Sequence, residues 1–271
     1  MQSEVIRTEI EGGVAHLVMD RPDKANAMGE AFWRDLPLLI EELEATPEIR
    51  AVVISGEGRH FTSGIDLSML ANTTDLAKAE PGRAAYKLRR DILRLQNTFT
   101  AMERARFPVI CAIHGACVGG GIDMVTAADI RLASKDAYFA VEEINVGMAA
   151  DVGTLQRLPK IIPPGIAKEL CFTGRRFGPD EALGFGFLNA VHEDKDAVIA
   201  AALAMAREIA SKSPLAMAGI KQSLNYAVDH TVEEGLDQIA TWNSGMLRPE
   251  DLMEAMRARM VKEEGRFKAL G

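Results

Sequence analysis

Three consecutive glycines, Gly119 to Gly121, follow the apolar run VICAIHG and open the apolar run IDMVTAA. This arrangement limits the fold more than any other stretch of the chain. The first run is short and continuous, which predicts a buried strand, and the second predicts a helix. Glycines at a helix start leave backbone N–H groups without intrahelical partners and let another group approach them closely. From His114 to Asp151 the chain carries three carboxylates that chemistry could use, Asp123, Glu143 and Asp151. Amides at a glycine-rich helix start, with acids arriving from later elements, could make a site that enolises a carbonyl.

The flanking sequence supplies more strands and helices in alternation. Val5 to Ile10 and Val14 to Met19 alternate around Gly12-Gly13 and predict a β-hairpin. The loop DRPDKANAM follows, then a helix from about Glu30 to Glu44 that Pro37 should kink or split. AVVISG predicts a buried strand, and FTSGIDLSML turns into a helix near Asp66. Ala71 to Gly82 is polar and is expected to be a mobile excursion. Ala84 to Arg106 is an amphipathic helix that ends before Pro108. After the glycine helix, DIRLAS and AYFAV read as strands, and a short helix runs from Asp151 to Leu158. Beyond Asp194 the chain is nearly all helical, and Thr231 with Glu234 predicts a capping box. The expected architecture is α/β: a core of strand-strand-helix units over residues 1–196, then a helical region over 197–271.

Charge and composition exclude several classes. The 271 residues carry a net charge of −8, which argues against broad nucleic-acid binding. No apolar stretch is long enough to span a membrane. Cys111, Cys117 and Cys171 match neither a disulfide framework nor a zinc site, so a reducing compartment fits. The N-terminus lacks an apolar signal core and the chain ends in KALG, from which a cytoplasmic location is expected.

Each candidate residue has a structural reading beside the chemical one. Gly119 to Gly121 and the turn Ser63-Gly64-Ile65-Asp66 could supply two converging amides, or merely allow close packing. Asp123 and Asp66 could complement a helix dipole. Glu142 and Glu143 are read as neighbours in a strand, so they face opposite ways and Glu143 shares the face of Phe139 and Val141. A carboxylate on an apolar face holds its proton more tightly, which suits proton transfer near neutrality; a strand end open to water is the alternative. Asp151 is placed to N-cap the helix after it. Cys117 lacks the surroundings of a nucleophile, and His114 reads as structural.

FTSGIDL, HGACVGGGIDMVTAADIR and AVEEINVGMAADVGTLQRLP, in that order and spacing, resemble the crotonase (enoyl-CoA hydratase/isomerase) superfamily. The resemblance implies a spiral of ββα units with a C-terminal helical trimerisation region. It also implies an acyl-CoA substrate and a homotrimer or homohexamer, with no cofactor besides the CoA carried by the substrate. By resemblance, the amides of Ile65 and Gly120 form an oxyanion hole. Lys24, Asn26, Ala27, Gly64 and Asp66 would lie along the CoA. Hydratases carry glutamates at the positions of Asp123 and Glu143 and usually glycine at that of Asp151. The trio found here is similar to the subgroup that converts 3,5-dienoyl-CoA to 2,4-dienoyl-CoA in fatty-acid β-oxidation. Asn145 departs from the aspartate expected in that subgroup. The competing expectations are a hydratase and a non-catalytic acyl-CoA-binding or interaction protein.

Overall fold

A computed structural model describes residues 3–71 and 80–270. Strands β1 (Ile6–Glu11) and β2 (Val14–Met19) form the expected hairpin through Gly12 and Gly13, both at positive φ. β2 then pairs in parallel with β3 (Ala51–Gly56), and β3 with β4 (Val109–Ile113). β6 (Ile130–Ser134) and β8 (Ala190–His192) extend the same six-stranded sheet, also in parallel. β5 (Ala116–Val118) and β7 (Tyr138–Ala140) make a separate parallel pair.

Parallel strands joined by crossovers are covered on both faces, which is why VICAI is apolar throughout and AVVIS as far as Ser55. Side chains alternate between the covers. Val52, Ile54, Val109, Cys111 and Ile113 face the larger core, which includes α1 (Glu30–Glu44) and part of α3 (Pro81–Arg104). Ala51, Val53, Ile110 and Ala112 face α8 (Lys195–Ala210), whose Val198, Ala202, Ala206 and Ala210 repeat every four residues along one stripe. The first helix of the C-terminal block therefore shares the core of the sheet.

Pro37 does not split α1. The proline removes the N–H that would bond the Trp33 carbonyl, and the buried Thr98 hydroxyl of α3 donates to that carbonyl instead at 3.3 Å. The short helix after Asp151 is α5 (Thr154–Ile161), and it runs through Pro159 rather than stopping before it. The carbonyl that loses its partner there belongs to Leu155, which is exposed, so water can bond it. The polar excursion expected over Ala71 to Gly82 lies mostly outside the described residues, and α2 (Leu67–Ala71) and α3 flank it.

Helices α6 (Pro164–Thr173) and α7 (Pro179–Gly184) lie between α5 and β8. Beyond α8 come α9 (Pro214–Ala227), α10 (Val232–Met246) and α11 (Pro249–Val261), with the Thr231–Glu234 capping box formed. Among the described residues, no helix is long and apolar enough to cross a membrane. One buried cation ties α9 to the core. Lys221 is 5% exposed and donates to the carbonyls of Met102 and Phe107 at 2.9 Å and to Asp129 Oδ2 at 2.8 Å. Lys221→Met is expected to lower the unfolding free energy by about 3 kcal/mol, since it strands a partly buried carboxylate and two carbonyls. Urea denaturation measures this, and an unchanged midpoint would show that the tie contributes little.

Candidate active site

The glycine run opens helix α4 (Gly120–Ala127) after Gly119, which sits at φ +52°. The second loop approaches it head-on. Gly64 has φ +85°, and a Cβ there would lie 2.7 Å from the Val118 carbonyl oxygen and 3.2 Å from the Gly120 nitrogen. Only glycine fits a left-handed turn pressed this closely against backbone. A parallel bridge to Met28 sets the direction of the loop: Met28 N–H donates to Gly64 O at 2.8 Å, and Asp66 N–H donates to Met28 O at 3.0 Å. In such a bridge the peptide groups flanking Ile65 point at Met28, so the N–H of Ile65 itself points the other way. That way lies α4, where a Cβ on Gly120 would be 3.6 Å from the Ile65 nitrogen. Among the described residues, neither the Ile65 nor the Gly120 amide has a backbone hydrogen-bond partner. The two backbone segments thus lie against each other at these residues.

The loop before Met28 is held from inside. Ala25 and Asn26 both adopt positive φ, a conformation asparagine tolerates better than most residues. Asn26 is buried; its Oδ1 accepts from Arg21 N–H at 2.8 Å, and its Nδ2 donates to the Glu57 and His60 carbonyls at 2.9 and 2.8 Å. This side chain, expected along the CoA, is spent on holding the loop. Lys24 is exposed and Ala27 half-buried, so these two remain open to a ligand. Asp66 accepts from the Ser68 N–H and hydroxyl at the start of α2 and pairs with Arg21 at 3.3 Å, which holds its carboxyl below the usual range.

The three carboxylates come together, though not by the local structure expected. β7 ends at Ala140, and Glu142–Val146 forms a 3-10 turn, so strand alternation does not separate Glu142 from Glu143. Glu143 is nevertheless the residue turned inward. Its Oε1 lies 3.4 Å from where a Cβ on Gly119 would be, and its Oε2 is buried without a hydrogen-bond partner. Burial, with help from Asp123 and Asp151, pushes its pKa up to about 7. Asp151 is not a helix cap: α5 starts after Gly153, whose φ of +139° belongs to glycine alone. Asp123 takes that role from the neighbouring helix. Its Oδ1 accepts from the Thr154 N–H at 2.6 Å, so the acid expected to complement its own helix serves α5. Asp123 is 1% exposed, and burial pushes its pKa up to about 6 against the pull of Thr154 and Arg157. Burial also raises the pKa of Asp151.

Sequence reasoning passed over Met28 and Thr62, which build the loop. The Thr62 hydroxyl donates to Asn26 O at 2.8 Å and accepts from Gly64 N–H at 3.1 Å. A threonine just before Ser-Gly was the available signal. Among the described residues, no group of His, Cys, Asp and Glu could hold a metal ion.

Unpaired backbone amides beside a group of carboxylates whose proton affinity is raised by burial are suited to acid–base chemistry next to a carbonyl. The chain belongs to the enoyl-CoA hydratase/isomerase family, whose model matches residues 9–269. It is 46% identical over 261 residues to the mitochondrial Delta(3,5)-Delta(2,4)-dienoyl-CoA isomerase of Rattus norvegicus, covering 96% of this chain and 80% of the relative. It is 42% identical over 269 residues to the peroxisomal Delta(3,5)-Delta(2,4)-dienoyl-CoA isomerase of Arabidopsis thaliana, covering 98% and 97%. Among solved structures, an enoyl-CoA hydratase from Polaromonas sp. JS666 superposes with a TM-score of 0.86 at 29% identity, covering 97% of this chain and 99% of that one. The crotonase-like α/β fold expected from the motifs is thus the fold found. The expected cytoplasmic location is overturned, because these relatives are mitochondrial or peroxisomal proteins. Cysteine pattern and chain ends report on redox state and on a few known addresses, and a reducing interior is not peculiar to the cytoplasm.

Proposed function

We propose that this protein isomerises 3,5-dienoyl-CoA to 2,4-dienoyl-CoA. The observation that carries the reading is the third carboxylate, Asp151, free of any capping role and set in one electrostatic cluster with Glu143 and Asp123. Relatives named as dienoyl-CoA isomerases along almost the whole chain support it.

The shift of two double bonds removes a proton from C2 and adds one at C6. Asp151, ionised, takes the C2 proton. The electron pair spreads over the diene and the thioester oxygen, where the Ile65 and Gly120 amides meet the developing charge. Glu143, protonated, delivers to C6. Asp123 stays fixed by the Thr154 amide and acts on Glu143 by its charge. Each turnover must return a proton from Asp151 to Glu143. The reaction neither oxidises nor reduces, so the substrate's own CoA is the only cofactor chemistry it calls for. Lys24 and Ala27 would lie along the CoA. The exposed Leu236, Met246, Leu252, Met253 and Met256 of α10 and α11 suit burial between copies of a trimer or hexamer.

Purified protein assayed with 3,5-dienoyl-CoA and 2-enoyl-CoA side by side is expected to turn over the first much faster. Preferential hydration of 2-enoyl-CoA would establish the hydratase reading instead. The kcat/KM profile is expected to be a bell. Its acid limb lies above the ordinary aspartate range, because Asp151 must lose a proton that burial holds. Its basic limb begins near 7, where Glu143 loses the proton it must donate. The cluster titrates as a unit, so the limbs are macroscopic.

A further inference from the structure

The run VGTLQRLP contains an arginine that the proposed reaction leaves unused. Arg157 sits one turn into α5 with its side chain only 14% exposed. It folds back over the start of its helix, so closely that any side chain on Gly153 would strike its guanidinium. The guanidinium then reaches α3. Nη2 donates to Glu103 Oε2 at 2.8 Å and to Thr100 Oγ1 at 3.1 Å, and Nε donates to Glu103 Oε2 at 3.3 Å. One turn earlier on α3, Gln96 Nε2 donates to the backbone carbonyl of Asp151 at 2.7 Å. Gln96, Thr100 and Glu103 lie at i, i+4 and i+7, along one face of a single helix.

We propose that Arg157 and Gln96 are positioning residues, which strap the segment carrying Asp151 to α3 and fix where that carboxylate stands. The proposal rests on the isomerase reading for its kinetic consequences, although the strap itself does not. The segment needs holding. From Gly147 to Gly153 it has no helix or strand, and glycines at positive φ stand at both ends. A base carried on irregular backbone loses about 10²-fold in rate when displaced by about 1 Å. At the far end, Asp123 grips the Thr154 amide, so the segment is fastened to α3 and α4 together.

The cation has a second effect. Asp123 is faced by the acids Glu143 and Asp151, by the Cys171 thiol of α6, and by Arg157, which alone among them opposes protonation. Glu103 of α3 is bonded to Arg157 and neutralises part of it.

The test combines Arg157→Gln, Arg157→Lys and Gln96→Leu, assayed with 3,5-dienoyl-CoA across pH. Hydrogen exchange of the amides from residue 152 to 154 is followed in the same samples. Arg157→Gln is expected to lose at least about tenfold in kcat with KM within about twofold, its acid limb unmoved because that limb belongs to Asp151, whose pKa is raised by burial. Arg157→Lys keeps the limb in place but loses kcat, because an ammonium cannot reproduce the fork. Gln96→Leu loses kcat with the limb unmoved. All three exchange faster over the segment. If Arg157→Gln does not fold, Gln96→Leu decides. Unaltered exchange together with unaltered kcat and profile in the folded variants overturns the proposal. If the wild-type protein fails to isomerise the dienoyl thioester, the reading of function falls. The exchange data then judge the strap independently: unchanged protection overturns it and faster exchange upholds it.

Discussion

Asp151→Asn is expected to lower kcat for 3,5-dienoyl-CoA by about 10²–10⁴-fold, with KM nearly unchanged. The substitution is close to isosteric and removes only the ability to take a proton. The Asp151 backbone carbonyl keeps its bond from Gln96, and Asp123 keeps the Thr154 amide, so the segment should stay in place. The thioester oxygen would still meet the Ile65 and Gly120 amides, which is why binding should survive. Following formation of the conjugated 2,4-dienoyl chromophore measures the loss. Turnover near that of the wild type would remove Asp151 from the role of base and leave Glu143 to serve both ends of the diene.

Glu143→Gln should also cost most of the activity while making the protein more stable at alkaline pH. The sign follows from burial. Folding raises the pKa of Glu143 from the ordinary glutamate value of 4.5 to about 7, so the folded state binds the proton more tightly than the unfolded one. Stability from this group is complete below the unfolded pKa and is lost as pH rises through the folded one. Above about 7 the wild type carries a carboxylate that it must keep partly out of water, with one oxygen lacking any partner. At about 1.4 kcal/mol for each tenfold rise in proton affinity, the penalty reaches at most about 3.5 kcal/mol. Glutamine carries no charge and escapes it. Thermal melts at pH 5 and pH 8.5 should therefore show the variant gaining on the wild type only at the higher pH. An equal difference at both values would mean that Glu143 is well solvated and ill suited to hold a proton for delivery.

Much of the framework could be read from the residues, for definite physical reasons. Strands buried on both faces cannot avoid being largely apolar, so VICAI and AVVIS identified themselves. The capping box at Thr231 is a local exchange of hydrogen bonds and needs no tertiary context. What escaped was decided by contacts from far along the chain. Pro37 remains inside a helix because Thr98 replaces the missing donor. The strand stops at Ala140, before Glu142 and Glu143, so choosing between them by alternation used the wrong period, although the buried carboxylate oxygen is still that of Glu143. Asp151 looked like a cap because its position allows it; an acid 28 residues earlier has already taken that amide. Asn26 looked like a ligand residue and is an internal brace, which three hydrogen bonds to other segments reveal and composition cannot. Arg157 and Gln96 carry no sequence signal of the contacts they make, since each meets its partners only after folding.

The bond from Asp123 to Thr154 bears on how relatives could have diverged. By resemblance, hydratases have glutamate at the position of Asp123, a side chain one methylene longer. Here the aspartate ends where the Thr154 amide begins, at 2.6 Å, and its side chain is 1% exposed. A glutamate would have to bend away from that amide or push the start of α5 outward, and with it the segment holding Asp151. A change of acid at this position would therefore be felt at Asp151 as well.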